Sequence, residues 1–220
     1  MDKKHYELIL FDLDGTLLDT SAGIFGSVRY AEQAMGFTPV AQEQLRLFVG
    51  PPPMQMYQQI YGADAETAAK ATAYHRQYSR EKAIYEATVY PGMIETLTAL
   101  QQQGYKLGVA TLKGQKIAEK VLKVHGLSGF FQVIVGMDEG ESFTKCKTIQ
   151  VAMAQTNTTG KALMVGDSEY DYVGACEASV DFLGVTYGFG IEENESRFPC
   201  IAQPQQLRPW LQQKERQEIV

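Results

Sequence analysis

The sequence predicts an α/β fold: a parallel sheet with helices on both faces, and an all-helical segment inserted near its start. Three observations carry that reading. Short apolar runs (LILF, LGVA, FQVIV, ALMV and FLGV) recur along the chain and read as strands buried on both faces. Between them lie stretches with helical periodicity, and this alternation is the pattern of a parallel sheet. Residues 16–88 break the rhythm, being rich in Ala, Gln, Glu and Tyr with no convincing strand. The expected organisation is a core of residues 1–15 and 89–220 and a small helical cap domain of residues 16–88.

Taken in order, the first strand is Leu8–Phe11, and it runs directly into DLDGT. In the inserted segment, helical patterns such as SVRYAEQAM and AETAAKATAYHRQYSREKAIYEA are separated by GFTP and VGPPPM. Pro51 to Pro53 are expected to hold the chain extended, because proline cannot sit inside a helix. Asp19 and Thr20 read as a helix cap. The α/β pattern resumes at VYPGM, with a helix over residues 93–103 and a second strand at Leu107–Ala110. Ile117, Val121 and Val124 place a helix over 115–124, and Ile149, Ala152 and Met153 place another over 145–155. The remaining strands are expected at 131–135, 162–165 and 182–185.

Composition narrows the function. The 220 residues are 45% hydrophobic, enough for a packed core, and carry a net charge of -6 with no block of Lys or Arg. That disfavours a nucleic-acid or membrane-surface partner, since both need clustered positive charge. Cys146, Cys176 and Cys200 are far apart and form neither a disulfide framework nor a zinc pattern. No stretch approaches the roughly 20 apolar residues of a membrane span, and the N-terminus lacks a signal-peptide pattern, so the expectation is a cytoplasmic protein.

Ligands of open parallel sheets bind beyond the carboxyl ends of the strands, so the strand ends supply the candidates. The first strand ends in Asp12 and Asp14, the second in Thr111 with Lys113 close behind, and the fourth in VGDSEYD with Asp167 and Asp171. Between the third and fourth strands, FTKCKT offers Lys145 and Lys147. Several carboxylates cannot share a small pocket without a cation, and an oxygen-rich set of this kind suits Mg²⁺. Lysine and threonine then suit a bound anion, so the site favours phosphate. The plain alternatives are an Asp-Gly turn at DLDG and a helix cap beginning near Asp171. His5, His75 and His125 have no partners at catalytic spacing and read as surface or packing residues, and Gly184, Gly188 and Gly190 read as turn glycines.

FDLDGTLLDT resembles the DxDGT motif of the haloacid dehalogenase-like superfamily, and Thr111, Lys145 and the GDxxxD acids Asp167 and Asp171 follow in that superfamily's order. The helical segment after the first motif is similar to the cap of the phosphoglycolate phosphatase-like branch, as are FVGPPPM, VYPGM and GVTYGFG. The resemblance implies a Mg²⁺-dependent phosphatase acting on a small phosphorylated metabolite. In it Asp12 is the nucleophile, Asp14 the acid and base, Thr111 a phosphoryl contact and Lys145, rather than Lys147, the charge-balancing cation. Mg²⁺ is implied at Asp12, the Asp14 carbonyl, Asp167 and Asp171. Gly50, Pro51, Arg76 and Lys113 are the expected substrate contacts. A phosphomutase similar to β-phosphoglucomutase, and a non-catalytic binding protein on the same fold, are the alternatives; monomer and homodimer are equally open.

Overall fold

The run LILF is apolar at every position because both faces of its strand are covered. Leu8 and Leu10 point to one helical layer, and Ile9 and Phe11 to the other. The computed structural model describes residues 5–138, 140, 142–192, 194–195 and 197–217. In chain order it forms β1 (Leu8–Phe11), β2 (Leu18–Asp19), α1 (Ser21–Met35), α2 (Gln42–Leu45), α3 (Pro53–Tyr61), α4 (Ala65–Glu81) and β3 (Thr88–Val89). There follow α5 (Met93–Gln102), β4 (Lys106–Gly114), α6 (Gln115–Val124), β5 (Val133–Met137), α7 (Lys145–Gln155) and β6 (Ala162–Gly166). The chain continues with α8 (Glu169–Glu177), β7 (Asp181–Val185), β8 (Cys200–Ile201) and α9 (Leu207–Gln217).

The main sheet has the order β5-β4-β1-β6-β7-β8 and is parallel throughout. On one face Ile9, Phe11, Leu107 and Val109 pack against Leu97, Leu100, Val121, Leu122 and Leu207 from α5, α6 and α9. On the other, Leu8, Leu10, Val133 and Val135 pack against Ile149 and Ala152 of α7 and Ala175 of α8. The chain leaves β1 for strands on both of its sides, so the carboxyl end of β1 lies at a topological switch point, flanked by the ends of β4 and β6.

The inserted helices bury their own core around Val28, Phe48, Met56, Tyr57, Ala68 and Ala71. Helix α4 is capped by Asp64, whose carboxylate accepts from the Thr67 amide at 2.8 Å. Helix α1 is preceded by Asp19, whose Oδ1 accepts from the Ser21 amide at 3.0 Å, while Thr20 makes no side-chain cap bond.

Several sequence expectations are corrected. Pro53 does not extend the prolyl run but opens α3, where its missing amide proton costs nothing. The insertion is not free of strand: Leu18–Asp19 pairs antiparallel with Thr88–Val89 where the chain enters and leaves it. The third core strand begins at Val133, not residue 131, and β4 runs on past Ala110 to Gly114. Strand β8 and helix α9 were not anticipated at all.

Candidate active site

Asp12 follows the last residue of β1, and its amide donates to the Val165 carbonyl of β6 at 2.9 Å, which holds it at the sheet edge. Its Oδ1 accepts from Lys145 Nζ at 2.6 Å. The Lys145 ammonium also donates to the Ala110 carbonyl at 2.8 Å and pairs with Asp171 Oδ1 at 2.6 Å, so three oxygens surround its three donors. Burial works against the charge on Lys145, but Asp12 and Asp171 outweigh it and hold its pKa above the usual lysine range. Lys147 is exposed, and its amide donates to the Thr144 hydroxyl that caps α7. Of the two lysines, Lys145 is the one in the site.

Asp167 stands opposite, 3% exposed, accepting from the Thr16 hydroxyl at 3.1 Å and the Phe189 amide at 2.9 Å. Burial, with Asp171 and Asp12 adding to it, pushes its carboxyl well above the ordinary range. Burial likewise raises Asp12 to about 6, assisted by Asp171 and Asp14 and opposed by Lys145. Asp171 is the third residue of α8 and does two things: its Oδ2 accepts from the Ser168 amide and hydroxyl at 3.0 and 2.6 Å, and its Oδ1 meets Lys145. The helix therefore starts at Glu169 behind a Ser168 cap, earlier than the sequence suggested.

Asp12, Asp167 and Asp171 each offer a carboxylate oxygen, all within 4.8 Å of one another. With Asp14 the site gathers four carboxylates against the ammonium groups of Lys145 and Lys113, leaving two negative charges over. A divalent cation matches that remainder, and its charge would oppose both the burial and the like-charge crowding that raise Asp12 and Asp167. The donor set, all oxygen, is the kind Mg²⁺ accepts.

Asp14 sits at the mouth of this cluster, and both of its oxygens accept from Lys113 Nζ at 2.9 Å. Thr111 is buried within β4, in the irregular stretch after Ala110, its hydroxyl accepting from the Lys113 amide at 3.2 Å. Beyond Asp14 opens a cavity of about 580 Å³ between the inserted helices and the sheet edge. Gly50, Pro51, Arg76 and Lys113 all line it, with Phe48, Pro53, Ile24 and Ile117 supplying apolar wall. His75 lines it too; buried beside the Tyr57 hydroxyl (3.2 Å from Nδ1), it is held neutral, its pKa lowered to about 3 by burial and by Lys113 and Arg76.

Some of the site escaped the sequence reading. Nothing in the sequence points to Thr16 or the Phe189 amide, which hold Asp167, and Gly188 lies in a turn region, as expected, but has a second role. In the fold a Cβ on Gly188 would collide with Asp167 and lie 2.5 Å from the Gly15 carbonyl oxygen. The signal was the spacing GFG just after a strand end, which marks a close backbone approach. Lys113 was read as a substrate contact; its bond to Asp14 requires the fold.

A family model for haloacid dehalogenase-like hydrolases matches residues 9–185. A 5'-nucleotidase of Pseudomonas aeruginosa is 35% identical over 190 residues, 86% of either chain. A phosphoglycolate phosphatase of Agrobacterium fabrum is 34% identical over 196 residues, 83% of this chain and 81% of that one. A crystal structure described as a predicted phosphatase from Clostridium acetobutylicum superposes with a TM-score of 0.84 at 34% identity, covering 94% of this chain and 97% of that one. The four motifs, their convergence at one sheet edge and these likenesses agree: the chain belongs to the haloacid dehalogenase-like hydrolase family.

Proposed function

We propose that this protein is a Mg²⁺-dependent phosphatase that hydrolyses small phosphomonoesters through an aspartyl-phosphate on Asp12, and that nucleoside monophosphates are its substrate class. The observation that carries the reading is a buried Asp12 paired with Lys145 at the end of β1, two residues before Asp14, which pairs with Lys113 and lines the cavity.

An Asp12 carboxylate oxygen attacks phosphorus, and the bond from phosphorus to the ester oxygen breaks. For the acid step Asp14 enters protonated, with Lys113 turned from it to the phosphoryl oxygens; it gives that proton to the leaving oxygen and next takes one from the water that attacks the aspartyl-phosphate, releasing inorganic phosphate and restoring Asp12. Lys145 balances the nucleophile's charge, and the Thr111 hydroxyl and Lys113 ammonium are within the same strand end to hold the phosphoryl oxygens. Asp12, Asp167 and the Asp14 main-chain carbonyl would hold Mg²⁺, with Asp171 keeping Lys145 and the start of α8 in place. When bound, Mg²⁺ orients the phosphoryl group and lessens the repulsion between two anions.

Cavity size supports the substrate class. Its volume of about 580 Å³ falls among pockets that enclose whole organic ligands, and Phe48, Pro51 and Pro53 give it an apolar wall against which a base would pack. Phosphoglycolate would leave most of that wall uncovered. The nucleotidase among the relatives points the same way. The test is phosphate release from nucleoside monophosphates, sugar phosphates and phosphoglycolate, with Mg²⁺ and with chelator, by wild type and Asp12→Asn. The expected result is Mg²⁺-dependent release, highest kcat/KM on a nucleoside monophosphate, and none from the variant. Release unaffected by chelator or by Asp12→Asn would overturn the mechanism, and a preference for phosphoglycolate would overturn the substrate class.

A further inference from the structure

Strands β4 and β5 lose register where the site begins. Ala110 pairs with Val135 and Gly114 with Met137, so Thr111, Leu112 and Lys113 face the single residue Gly136. The extra length bows β4 outward, as bulges do beside active sites, and the bow carries both Thr111 and Lys113. A bow of this kind takes the partner strand's peptide groups out of the ladder, and half-buried groups need other partners.

Here one side chain supplies them. Gln115 Oε1 accepts from the Gly136 amide at 2.6 Å, and Gln115 Nε2 donates to the Ile134 carbonyl at 2.9 Å. The amide's orientation is set, because Nε2 also donates to Glu119 Oε1 at 2.6 Å and only the oxygen can face the Gly136 N–H. Gly136 completes the fit: a Cβ there would lie 2.6 Å from the Lys113 carbonyl oxygen and 2.8 Å from the Gln115 Cα. The bowed strand thus rests backbone-on-backbone against β5, pinned two residues beyond Lys113.

We propose that Gln115 is a positioning residue: its amide replaces the ladder bonds lost at the bulge and so aims Lys113 at Asp14 and the phosphoryl group. The role of Lys113 rests on the phosphatase reading; the clamp itself does not. Gln115 borders the cavity, but its side-chain amide is taken up by Gly136, Ile134 and Glu119, so it acts through the strand.

The test is a double-mutant cycle of Gln115→Met, which keeps length but removes both bonds, with Lys113→Met. Turnover of para-nitrophenyl phosphate with Mg²⁺ is the first readout. Gln115→Met is expected to lower kcat/KM roughly 10- to 100-fold in the wild-type background, the scale of a misplaced catalytic group. In the Lys113→Met background the same change is expected to cost about threefold or less, because the group it aims is already gone. Equal losses in both backgrounds, or wild-type kcat/KM in folded Gln115→Met, would overturn the proposal. Should Gln115→Met fail to fold, Gln115→Glu, which keeps the bond from Gly136, enters the same cycle. If the wild type turns over no ester, the phosphatase reading fails. The cycle is then read from calorimetric binding of inorganic phosphate, weakened by either single change and no further by both; wild-type affinity in the Gln115 variant would refute the clamp.

Discussion

The inserted helices and the sheet edge each bury ionisable side chains, and they treat them in opposite ways. In the insertion Glu32 is 2% exposed, yet its carboxylate is fully engaged by Arg29 Nη1 at 2.7 and 3.0 Å, the Tyr61 hydroxyl at 2.7 Å and the Val40 amide at 2.8 Å. That set is closed and ties α1, α3 and the loop before α2 into one body. At the sheet edge Asp12, Asp14, Asp167 and Asp171 have two ammonium groups among them, and Asp12 and Asp167 are pushed toward protonation. A buried set with charge left over costs stability unless a ligand completes it, so such sets mark function. The insertion thus uses its polar groups for its own rigidity, whereas the sheet edge leaves carboxylates uncompensated, as the cation and phosphate proposed for it require.

The same contrast appears in two glycines with positive φ. Gly15, at +82°, is wedged so that a Cβ would collide with Asp167 and lie 2.7 Å from the Phe189 ring, while Gly50, at +101°, has nothing within 4 Å of that position. Gly15→Ala is expected to lower unfolding free energy by about 3 kcal/mol or more, because steric overlap adds to backbone strain, and to abolish turnover by moving Asp167. Gly50→Ala is expected to cost about 1 to 2 kcal/mol from the backbone alone. Urea unfolding of both variants checks this, and equal costs would break the comparison.

A smaller effect sharpens it from the insertion's side. His75 is buried against Tyr57, with its ring stacked 6.4 Å from Phe48, and its folded pKa of about 3 lies below the ordinary value of 6.5. Between those values the unfolded chain binds a proton that the folded one refuses, so stability is full above pH 6.5 and falls as the pH drops toward 3. At pH 4.5 the loss from this group is about 2 to 3 kcal/mol. Unfolding of wild type and His75→Gln at pH 7 and 4.5 reads it as a flatter pH dependence in the variant. An equal dependence in both would assign the acid sensitivity to other groups.

Legibility followed the same division. Asp12, Thr111 and Asp167 were legible as candidates because they follow apolar runs that read as strands, whereas Lys145, which opens α7, was singled out from Lys147 only through the resemblance. Helices α6 and α7 matched their expected ranges because their apolar residues recur at helical spacing. The β4 bulge left no trace in composition, since residue counts on one strand say nothing of its partner's register. Strand β8 is two residues long, too short for periodicity, and Pro53 could be assigned to a helix start only once α3 was in view. The cavity wall was legible only in pieces: Gly50, Pro51, Arg76 and Lys113 stood out as candidates, His75 read as a surface or packing residue, and nothing in the sequence singled out Phe48.

The central claim is that the sheet edge does the chemistry through Asp12. Its most direct test is to quench wild type during turnover with Mg²⁺ and a nucleoside monophosphate, reduce any acyl phosphate with borohydride, and map the product by mass spectrometry. The account predicts conversion of Asp12 to homoserine, dependent on substrate and Mg²⁺. Steady turnover with Asp12 unmodified, or with the label on another residue, would contradict it.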